Sequence, residues 1–592
     1  MKRFCKILCC LLALVLLLSA CGTGKGPAPA TEAPTGNSEP ATEPTTEERA
    51  EPIVLVRADG MPNCTVTKPK NASDATLAAV EKFLVDFRKK TEVTLPVADE
   101  YSEIGTAYEI AVNATAGRQP VAEQLKETAY TDYKIGLWDW HVMVTARSDA
   151  ALVAGLKRIV YLLEETEDGY CIRKDAGTQA SALLGDRKTS VPLYDTASGT
   201  ELPMYSVKDG YEICVQNTTE AEFTAYAAKL AAGGFTRYSE NEISAGASVQ
   251  GKNKTAVYRG EDIDVFLNWN FSQKTARVVF SVPSALPELT KPAVTAADTA
   301  KLSLAQIGIA GLGMSYVIQL RDYSFIVIDG GTNADDNVAK LYNYMAGKTP
   351  AGKKPTIACW IFTHADPDHI GAATVFLKNH VEDAEVLAVA CNFPDCTVQN
   401  TSQNDATIGE AIFKLENTIR MFWDATYYTV HTGQKLCFKG VEIEILFTEE
   451  DIYPKKVNSY NDTSVMARFT FDNGKTFMML GDSTEQASLQ LAETFREYLK
   501  CDILQMAHHG LIGGNKTLYQ YIDPAYCLWS TSQERFEGHY DTNKDGKVTS
   551  SDVQHCLGQG GCDYNKWIRD TTVRERTHYH AGETVVIDLE TA

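Results

Sequence analysis

Along the first half of this chain the apolar positions switch between two-residue alternation and helical spacing, and the switches mark out elements. Residues 52–58 alternate as a strand, and 73–91 carry Leu77, Val80, Leu84 and Phe87 on one helical face. A strand at 108–114, a short helix at 119–129 and a hairpin over 133–145 follow. Ser148 then caps a helix whose apolar stripe is Leu152, Leu156, Ile159 and Leu163. This βαβαββα order predicts a small α/β domain over residues 53–186. The pattern restarts with a strand at 211–216 and a helix at 220–232 that Gly233 and Gly234 stop. Strands near 255–259, 262–269 and 275–282 complete a predicted α+β domain over 190–284. Pro, Ala and Thr then dominate, and residues 285–300 read as a linker into a third unit, 301–592.

The N-terminus reads as an address. Lys2, Arg3 and Lys6 precede an apolar run over 7–18 that is too short to span a bilayer as a mature helix. It ends in Leu18-Ser19-Ala20-Cys21, which resembles the lipobox of bacterial lipoproteins. The resemblance implies that residues 1–21 hold a signal peptide and lipobox, that Cys21 becomes the acylated first residue, and that the protein sits on the extracellular face of the bacterial cell membrane. More than one acyl chain makes such an anchor stable. Residues 22–52 are Pro, Thr, Ala, Glu and Gly with little to bury, the composition of a disordered acidic tether.

At 592 residues the chain is too long for one core and calls for roughly three or four domains. A hydrophobic share of 44% and a charged share of 22% are those of an ordinary globular protein. The net charge of −21 argues against a surface that tracks nucleic-acid phosphates, so no strong duplex binding is expected. Eleven cysteines lie beyond Cys21, an odd number that cannot all pair internally. Cys391 with Cys396, and Cys556 with Cys562, are close enough in sequence to bridge after export. None has a histidine at readable spacing, so no cysteine nucleophile is assigned. Trp138 and Trp140 are either interior aromatics of their hairpin or a platform for a sugar ring.

The densest chemistry lies between Pro355 and His380. A buried strand over 356–362 runs into a turn carrying His364, Asp366, Asp368 and His369, and a helix is expected to open near Ile370, with Gly371 allowing close packing. Carboxylate oxygen and imidazole nitrogen in that density suit a divalent cation. The His-x-Asp-x-Asp-His pattern resembles the metal motif of the metallo-β-lactamase fold, with Asp366 where a second His is usual. Together with its flanks it is similar to the hydrolase domain of the DNA-uptake protein ComEC. Supporting pieces occur in the same order: a hairpin over 316–329 ending in Asp329-Gly330-Gly331, then Asn461 to Ser464 before a strand, Gly481-Asp482 after another, and His508-His509-Gly510 after a last one. The α/β accessory pattern of 53–186 likewise resembles a small domain found ahead of some glycoside hydrolases.

The resemblance implies an α/β (α+β) protein whose residues 301–592 form an αββα sandwich holding two divalent ions, zinc or manganese. His364 and Asp366 would hold the first ion, and Asp368 with His369 the second. Asp482 would bridge them and His508 would complete the second site, whereas His509 could instead touch substrate. Asp368 and His509 are the catalytic candidates. Two ions about 3.5–4 Å apart share a water and lower its pKa. The expected activity is a phosphodiesterase or nuclease on a small or polymeric phosphodiester. The alternatives are a lactonase or amidase on the same fold, or a non-catalytic cell-surface binding protein. One usual histidine is missing: His380 falls at a helix end, His431 in a strand-turn, and Asn461 and Ser464 occupy the corresponding region.

Within the third unit, residues 541–552 place side-chain oxygens of Asp541, Asn543, Asp545, Thr549 and Asp552 at loop positions 1, 3, 5, 9 and 12, with Gly546 sixth and Lys547 seventh. This resembles one calcium loop of a dockerin or EF-hand, with Asp rather than Glu last, and implies a local calcium staple. Ligand binding stabilises by mass action, so calcium should raise the melting temperature with the transition metal kept saturating; equal values in calcium and chelator would exclude the staple. Cys21→Ser should release the protein from membranes in detergent partitioning, and unchanged partitioning would exclude the lipid anchor.

Overall fold

The computed structural model describes residues 52–591, except 129, 131, 139–140, 175–177, 182–190, 209, 247–250, 310–311, 397–404, 538–546, 548–566 and 570–575. Cys21, the tether to Glu51, Trp140, Cys556, Cys562 and the calcium loop apart from Lys547 fall outside the described residues.

The first strands and helices are β1 (Ile53–Arg57), β2 (Cys64–Lys68), α1 (Asp74–Thr91), β3 (Val97–Asp99), β4 (Tyr108–Val112) and α2 (Gln119–Glu127). They continue with β5 (Asp132–Trp138), β6 (His141–Ala146), α3 (Asp149–Leu162), β7 (Glu164–Thr166), β8 (Gly169–Ile172) and β9 (Thr178–Ser181). The sheet order is β3-β2-β4-β6-β5-β9, with β1, β8 and β7 forming a separate small sheet. Ser148 caps α3, its hydroxyl accepting from the Ala151 amide at 3.3 Å. One sheet face packs on α1 and α3 through Val66, Ile110, Val142 and Val144. The opposite face carries Thr67, Glu109 and His141, and Glu109 is fully buried in an ion pair with Arg118 at 2.6 Å. The strand over 52–58 therefore exists but is not the first strand of the α/β sheet. That strand is β2, whose alternating threonines read as polar in sequence and are buried against polar partners. Trp138 is 42% exposed and stacked flat on His141 at 4.9 Å, so it is not a hairpin-interior aromatic.

Next come β10 (Thr200–Glu201), β11 (Tyr205–Val207), β12 (Gly210–Gln216), α4 (Glu220–Ala232), β13 (Thr236–Ser244), β14 (Lys252–Arg259), β15 (Asp264–Asn270) and β16 (Thr275–Ser281). Thr219 and Glu222 form a capping box that fixes where α4 starts. The sheet runs β10-β12-β16-β15-β14-β13, with β11 beside β12. Phe223, Tyr226 and Leu230 of α4 cover one face. The other face presents Val207, Val257, Phe266 and Val279, and Phe266 meets the ring of His431 at 3.9 Å.

The remaining chain supplies β17 (Ser303–Gln306), β18 (Ser315–Gln319), β19 (Phe325–Asp329), α5 (Asp335–Lys348), β20 (Thr356–Ile361), α6 (Pro367–Asn379), β21 (Glu385–Val386), β22 (Ala388–Cys391), α7 (Asp405–Phe422) and β23 (Thr426–Thr429). After these come β24 (Lys435–Phe438), β25 (Val441–Phe447), β26 (Met466–Phe471), β27 (Thr476–Met479), α8 (Glu485–Phe495), β28 (Ile503–Gln505), α9 (Lys516–Ile522), β29 (Tyr526–Trp529), α10 (Gln533–Glu537), β30 (Thr577–His580) and β31 (Val585–Asp588). Two sheets result, β23-β22-β20-β19-β18-β17-β31 and β24-β25-β26-β27-β28-β29-β30. Alternation sorts the layers. Ile326 and Ile328 face Ile445, Phe469 and Met479 of the other sheet, whereas Phe325 and Val327 face Leu341, Met345 and Phe376 of the helices. On the far side Met478, Leu504 and Trp529 pack on α8 and α9 through Leu491, Phe495 and Leu518. This is the αββα sandwich that the metal motif implied.

Two local expectations change. Helix α6 opens at Pro367 with Asp366 as its N-cap, not near Ile370, because proline is preorganised for the first helical position. Asp368 and His369 thus sit in its first turn. Cys391 and Cys396 do not bridge each other as a disulfide. Cys391 Sγ lies 2.8 Å from Tyr427 Oη, and Cys396 Sγ lies 3.8 Å from the Pro394 carbonyl.

Candidate metal centre

Parallel strands β19 and β20 of one sheet, and β27 and β28 of the other, end on the same side of the sandwich. The carboxyl ends of such strands are where open α/β sheets bind ligands. They deliver Asp329, His364, Asp482 and the pair His508–His509, while the first turn of α6 adds Asp368 and His369. The helix start is stitched to the strand ends by backbone bonds, Gly330 N to His369 O at 2.7 Å and Met314 N to Asp368 O at 3.1 Å. Gly371 is needed for this approach, since a Cβ there would lie 2.9 Å from Asn333 N.

Two groups of three donors converge: His364, His369 and Asp482, and Asp368, His369 and His509, each with its ligand atoms within 4.8 Å of one another. His369 belongs to both. Asp482 Oδ2 lies 3.1 Å from Nε2 of His369 and 3.1 Å from Nε2 of His509. Asp368 Oδ2 is 3.1 Å from His509 Nε2, and Asp366 Oδ2 is 3.6 Å from His364 Nε2. Two donors on one tetrahedral ion sit about 3.3 Å apart, so these spacings suit cations between the side chains.

The outer ring nitrogens fit the same reading. Nδ1 of His369 donates to Asp329 Oδ2 at 2.7 Å, Nδ1 of His509 to the Ser530 carbonyl at 3.1 Å, and Nδ1 of His364 faces Thr363 Oγ1 at 3.1 Å. Each imidazole is therefore held by one nitrogen and presents Nε2 inward, the arrangement metal-ligating histidines use. Nε2 of His364, Nε2 of His369 and Oδ1 of Asp482 are buried with no hydrogen-bond partner. The donor set thus fits divalent ions.

Electrostatics point the same way. Burial opposes charge on His369, yet Asp482 and Asp329 on either side outweigh it and raise its pKa well above that of free imidazole. Burial likewise opposes ionisation of Asp482, but His369, His509 and His508 hold its carboxyl well below the ordinary range. His509 is lowered by burial and raised more strongly by Asp482 and Asp368, to about 9. His508 goes down, because burial outweighs the pull of Asp482.

Of the last two histidines, expected respectively as a ligand and as a substrate contact, it is His509 that stands with the other donors. His509 joins Asp368 and His369, while His508 Nε2 lies 3.9 Å from Asp482 and 3.4 Å from Asn461 Nδ2. The cause is a tight turn over residues 507–510 in which both histidines are left-handed, with φ of 50° and 58°. Gly510 completes it at φ 77°, where a Cβ would strike the Trp529 ring at 2.0 Å. Neither other histidine serves the centre. His431 pairs with Glu450 at 2.8 Å, and His380 caps α6 stacked on Tyr342 at 4.2 Å. Ser464 Oγ instead reaches His364 Nδ1 at 3.4 Å.

Asp329 is the functional residue that sequence reasoning named only as a strand end. It is fully buried at φ 51° and accepts from Thr363 N at 2.8 Å, Thr363 Oγ1 at 2.7 Å and His369. A left-handed non-glycine costs about 1–3 kcal/mol, which charge-assisted bonds of roughly 1.5–3 kcal/mol each offset. An acid closing a buried strand before Gly-Gly was the readable signal.

No family model matches the chain, and no curated protein matches it. Among solved structures, CmlA, a diiron β-hydroxylase from Streptomyces venezuelae, aligns at 13% identity and TM-score 0.29, over 49% of this chain and 54% of that one. A mutant of the same hydroxylase gives the same values. AbOPH, a hydrolase in the β-lactamase superfamily, aligns at 10% identity and TM-score 0.17, over 49% of this chain and 75% of that one. The chain spans about half the length of the hydroxylase, and at these scores the likeness adds nothing to the sheet order and donor geometry.

Asp329→Asn should leave the sandwich folded and weaken metal binding by about 10–100-fold, because His369 loses the acceptor that orients it. Competition against a chromogenic chelator measures this, and unchanged affinity would remove Asp329 from the site.

Proposed function

We propose that the chain is a surface-anchored dinuclear metal-dependent hydrolase, and that its preferred substrates are phosphodiesters. The observation that carries the reading is the sharing of donors. His369 stands in both triads, and Asp482 Oδ2 is 3.1 Å from the inward nitrogens of both His369 and His509. A single imidazole nitrogen binds one ion, so His369 would serve one of the two, whereas the Asp482 carboxylate, with Oδ2 against both histidines and Oδ1 unpartnered, has the oxygens to serve both. His364, Asp366, Asp368, His369, Asp482 and His509 would hold the two ions, zinc or manganese. Bound there, divalent ions would lower the pKa of a water and neutralise charge on the attacking and leaving oxygens.

The chain's own groups supply the rest. Asp329, Thr363 and the Ser530 carbonyl lock the ring orientations, so no reorganisation is needed as charge develops. His508 and Asn461 stand together at the edge of the centre, where the Asn461 amide donates to His508 Nε2 at 3.4 Å and keeps a second hydrogen for a substrate oxygen. Two cations favour a phosphodiester, whose charge lies on both reacting oxygens, over a neutral amide. A net charge of −21 disfavours long duplexes and leaves short or single-stranded nucleic acid, or a cell-envelope phosphodiester, as the polymeric substrate. A lipid on Cys21 would hold the enzyme at the outer face of the membrane.

Hydrolysis of bis(p-nitrophenyl) phosphate by protein loaded with manganese or zinc tests this. Asp482→Ala should cut the rate at least about 100-fold with an unchanged circular dichroism spectrum. Equal rates for wild type and variant, with opening of lactones or β-lactams instead, would transfer the reading to a lactonase or amidase. Failure to bind any transition metal would leave a non-catalytic surface protein.

A further inference from the structure

Five acidic side chains meet where the α+β sheet lies against the turn that follows β25. Glu212 comes from β12, Glu449, Glu450 and Asp451 from the turn, and Asp395 from beyond β22. Two bases face them. Arg277 of β16 donates to Glu212 Oε1 at 2.5 Å and to the carbonyls of Glu450, Asp451 and Tyr453 at 2.9, 3.0 and 2.5 Å. His431 Nδ1 lies 2.8 Å from Glu450 Oε1, which also accepts from Asn392 at 2.8 Å. Asp451 Oδ2 accepts from Thr432 at 2.5 Å and from Thr448 N at 3.1 Å.

This pairing leaves Glu449 out. It is 1% exposed, and both of its carboxylate oxygens are buried without a hydrogen-bond partner, as are Oε2 of Glu450 and Oε2 of Glu212. The charged groups that bear on it, Glu450, Glu212 and Asp395, are all acids. Among the described residues an ionised carboxylate so placed has neither solvent nor counter-charge, and neutralising it costs far less than burying the charge. Nor do these acids form a cation cage: among the described residues, the groups that bring three ligand atoms within 4.8 Å are the two at the metal centre.

We propose that Glu449 is protonated in the folded protein and that this proton latches the α+β domain onto residues 449–463, so that its loss at alkaline pH loosens the rim of the metal centre. The segment is continuous with that rim. Tyr453 stacks on Tyr205 at 4.9 Å and bonds the Pro203 carbonyl, and further along the chain stand Asn461, beside His508, and Ser464, beside His364. The direction of titration agrees. Burial, then Glu450 and Glu212, raise Glu449 well above the ordinary 4.5, and burial takes Glu212 up to about 8 against the pull of Arg277. Burial also opposes ionisation of Glu450, but His431 outweighs it and keeps that carboxyl low. Groups raised on folding contribute stability that is complete below 4.5 and lost as pH climbs through their folded values, for Glu212 about 8.

Hydrogen exchange of the full-length protein at about pH 6 and about pH 9, corrected for intrinsic rates, tests the latch. Protection over 205–216, 275–281 and 449–463 should fall at least about tenfold in wild type, while 325–329 holds. Glu449→Gln, which mimics the protonated acid, should keep its protection at the higher pH, and Glu212→Gln should keep part of it. Protection that ignores pH, or that falls equally in Glu449→Gln, overturns the proposal. So would protection that calcium or magnesium alone raises at fixed pH in wild type but not in Glu449→Gln. Exchange is read without substrate, so it stands apart from the phosphodiesterase reading; if that reading also holds, the alkaline limb of hydrolysis moves up in Glu449→Gln.

Discussion

His369 is held through Nδ1 by Asp329 at 2.7 Å and faces Asp482 through Nε2 at 3.1 Å, and the two carboxylates come from opposite sheets of the sandwich. All three side chains are essentially buried, so each charge relies on the others rather than on solvent. The first turn of α6 is fixed to β19 through the same residue, whose carbonyl accepts from Gly330. Remove the clamp and the two halves of the donor set lose their common reference. A buried polar network of this kind is worth having only when nearly every member is satisfied. The members left unsatisfied, Nε2 of His364 and His369 and Oδ1 of Asp482, are those that point where cations would lie.

A second buried charge problem sits at the edge of the same sandwich and is solved differently. At the metal centre, acids and imidazoles alternate, and ions can complete the balance. Around Glu449 acids outnumber bases, and among the described residues no third donor set converges. Arg277 spends its hydrogen bonds on three carbonyls as well as on Glu212, so it orders the backbone of the turn more than it neutralises the cluster. The α+β domain is thereby coupled to residues 449–463, and through them to Asn461 and Ser464. Its position is part of the site's architecture although it supplies no ligand.

Much of the secondary structure was legible because periodicity was strong. α4 stands over the predicted residues, and α1 starts one residue later, with side-chain caps at Ser73 and Thr219 marking their starts. The strands that reading passed over share a reason. β2 carries buried threonines, and β13 is a largely exposed strand of charged residues, so neither shows an apolar alternation. That Cys391 and Cys396 do not bridge follows from β22 ending in the core, where Cys391 meets Tyr427 rather than its neighbour in sequence.

The sequence by itself determined the kinds of donor and the strand ends that carry them, because His364, Asp366, Asp368, His369 and Asp482 follow buried runs or open a helix. It also determined that a layered α/β core would form, since β19 and β20 are apolar on both faces. Only the tertiary structure decided which histidine of the His508–His509 pair enters the centre. That choice rests on a turn in which both residues are left-handed, and on Gly510 lying against Trp529. It likewise decided that Asp329 holds His369 and that Glu449 is set among acids. These depend on residues brought together from distant parts of the chain, as Asp329 is to His369 and Glu212 to Glu449, or on a backbone angle set by packing, and local pattern encodes neither.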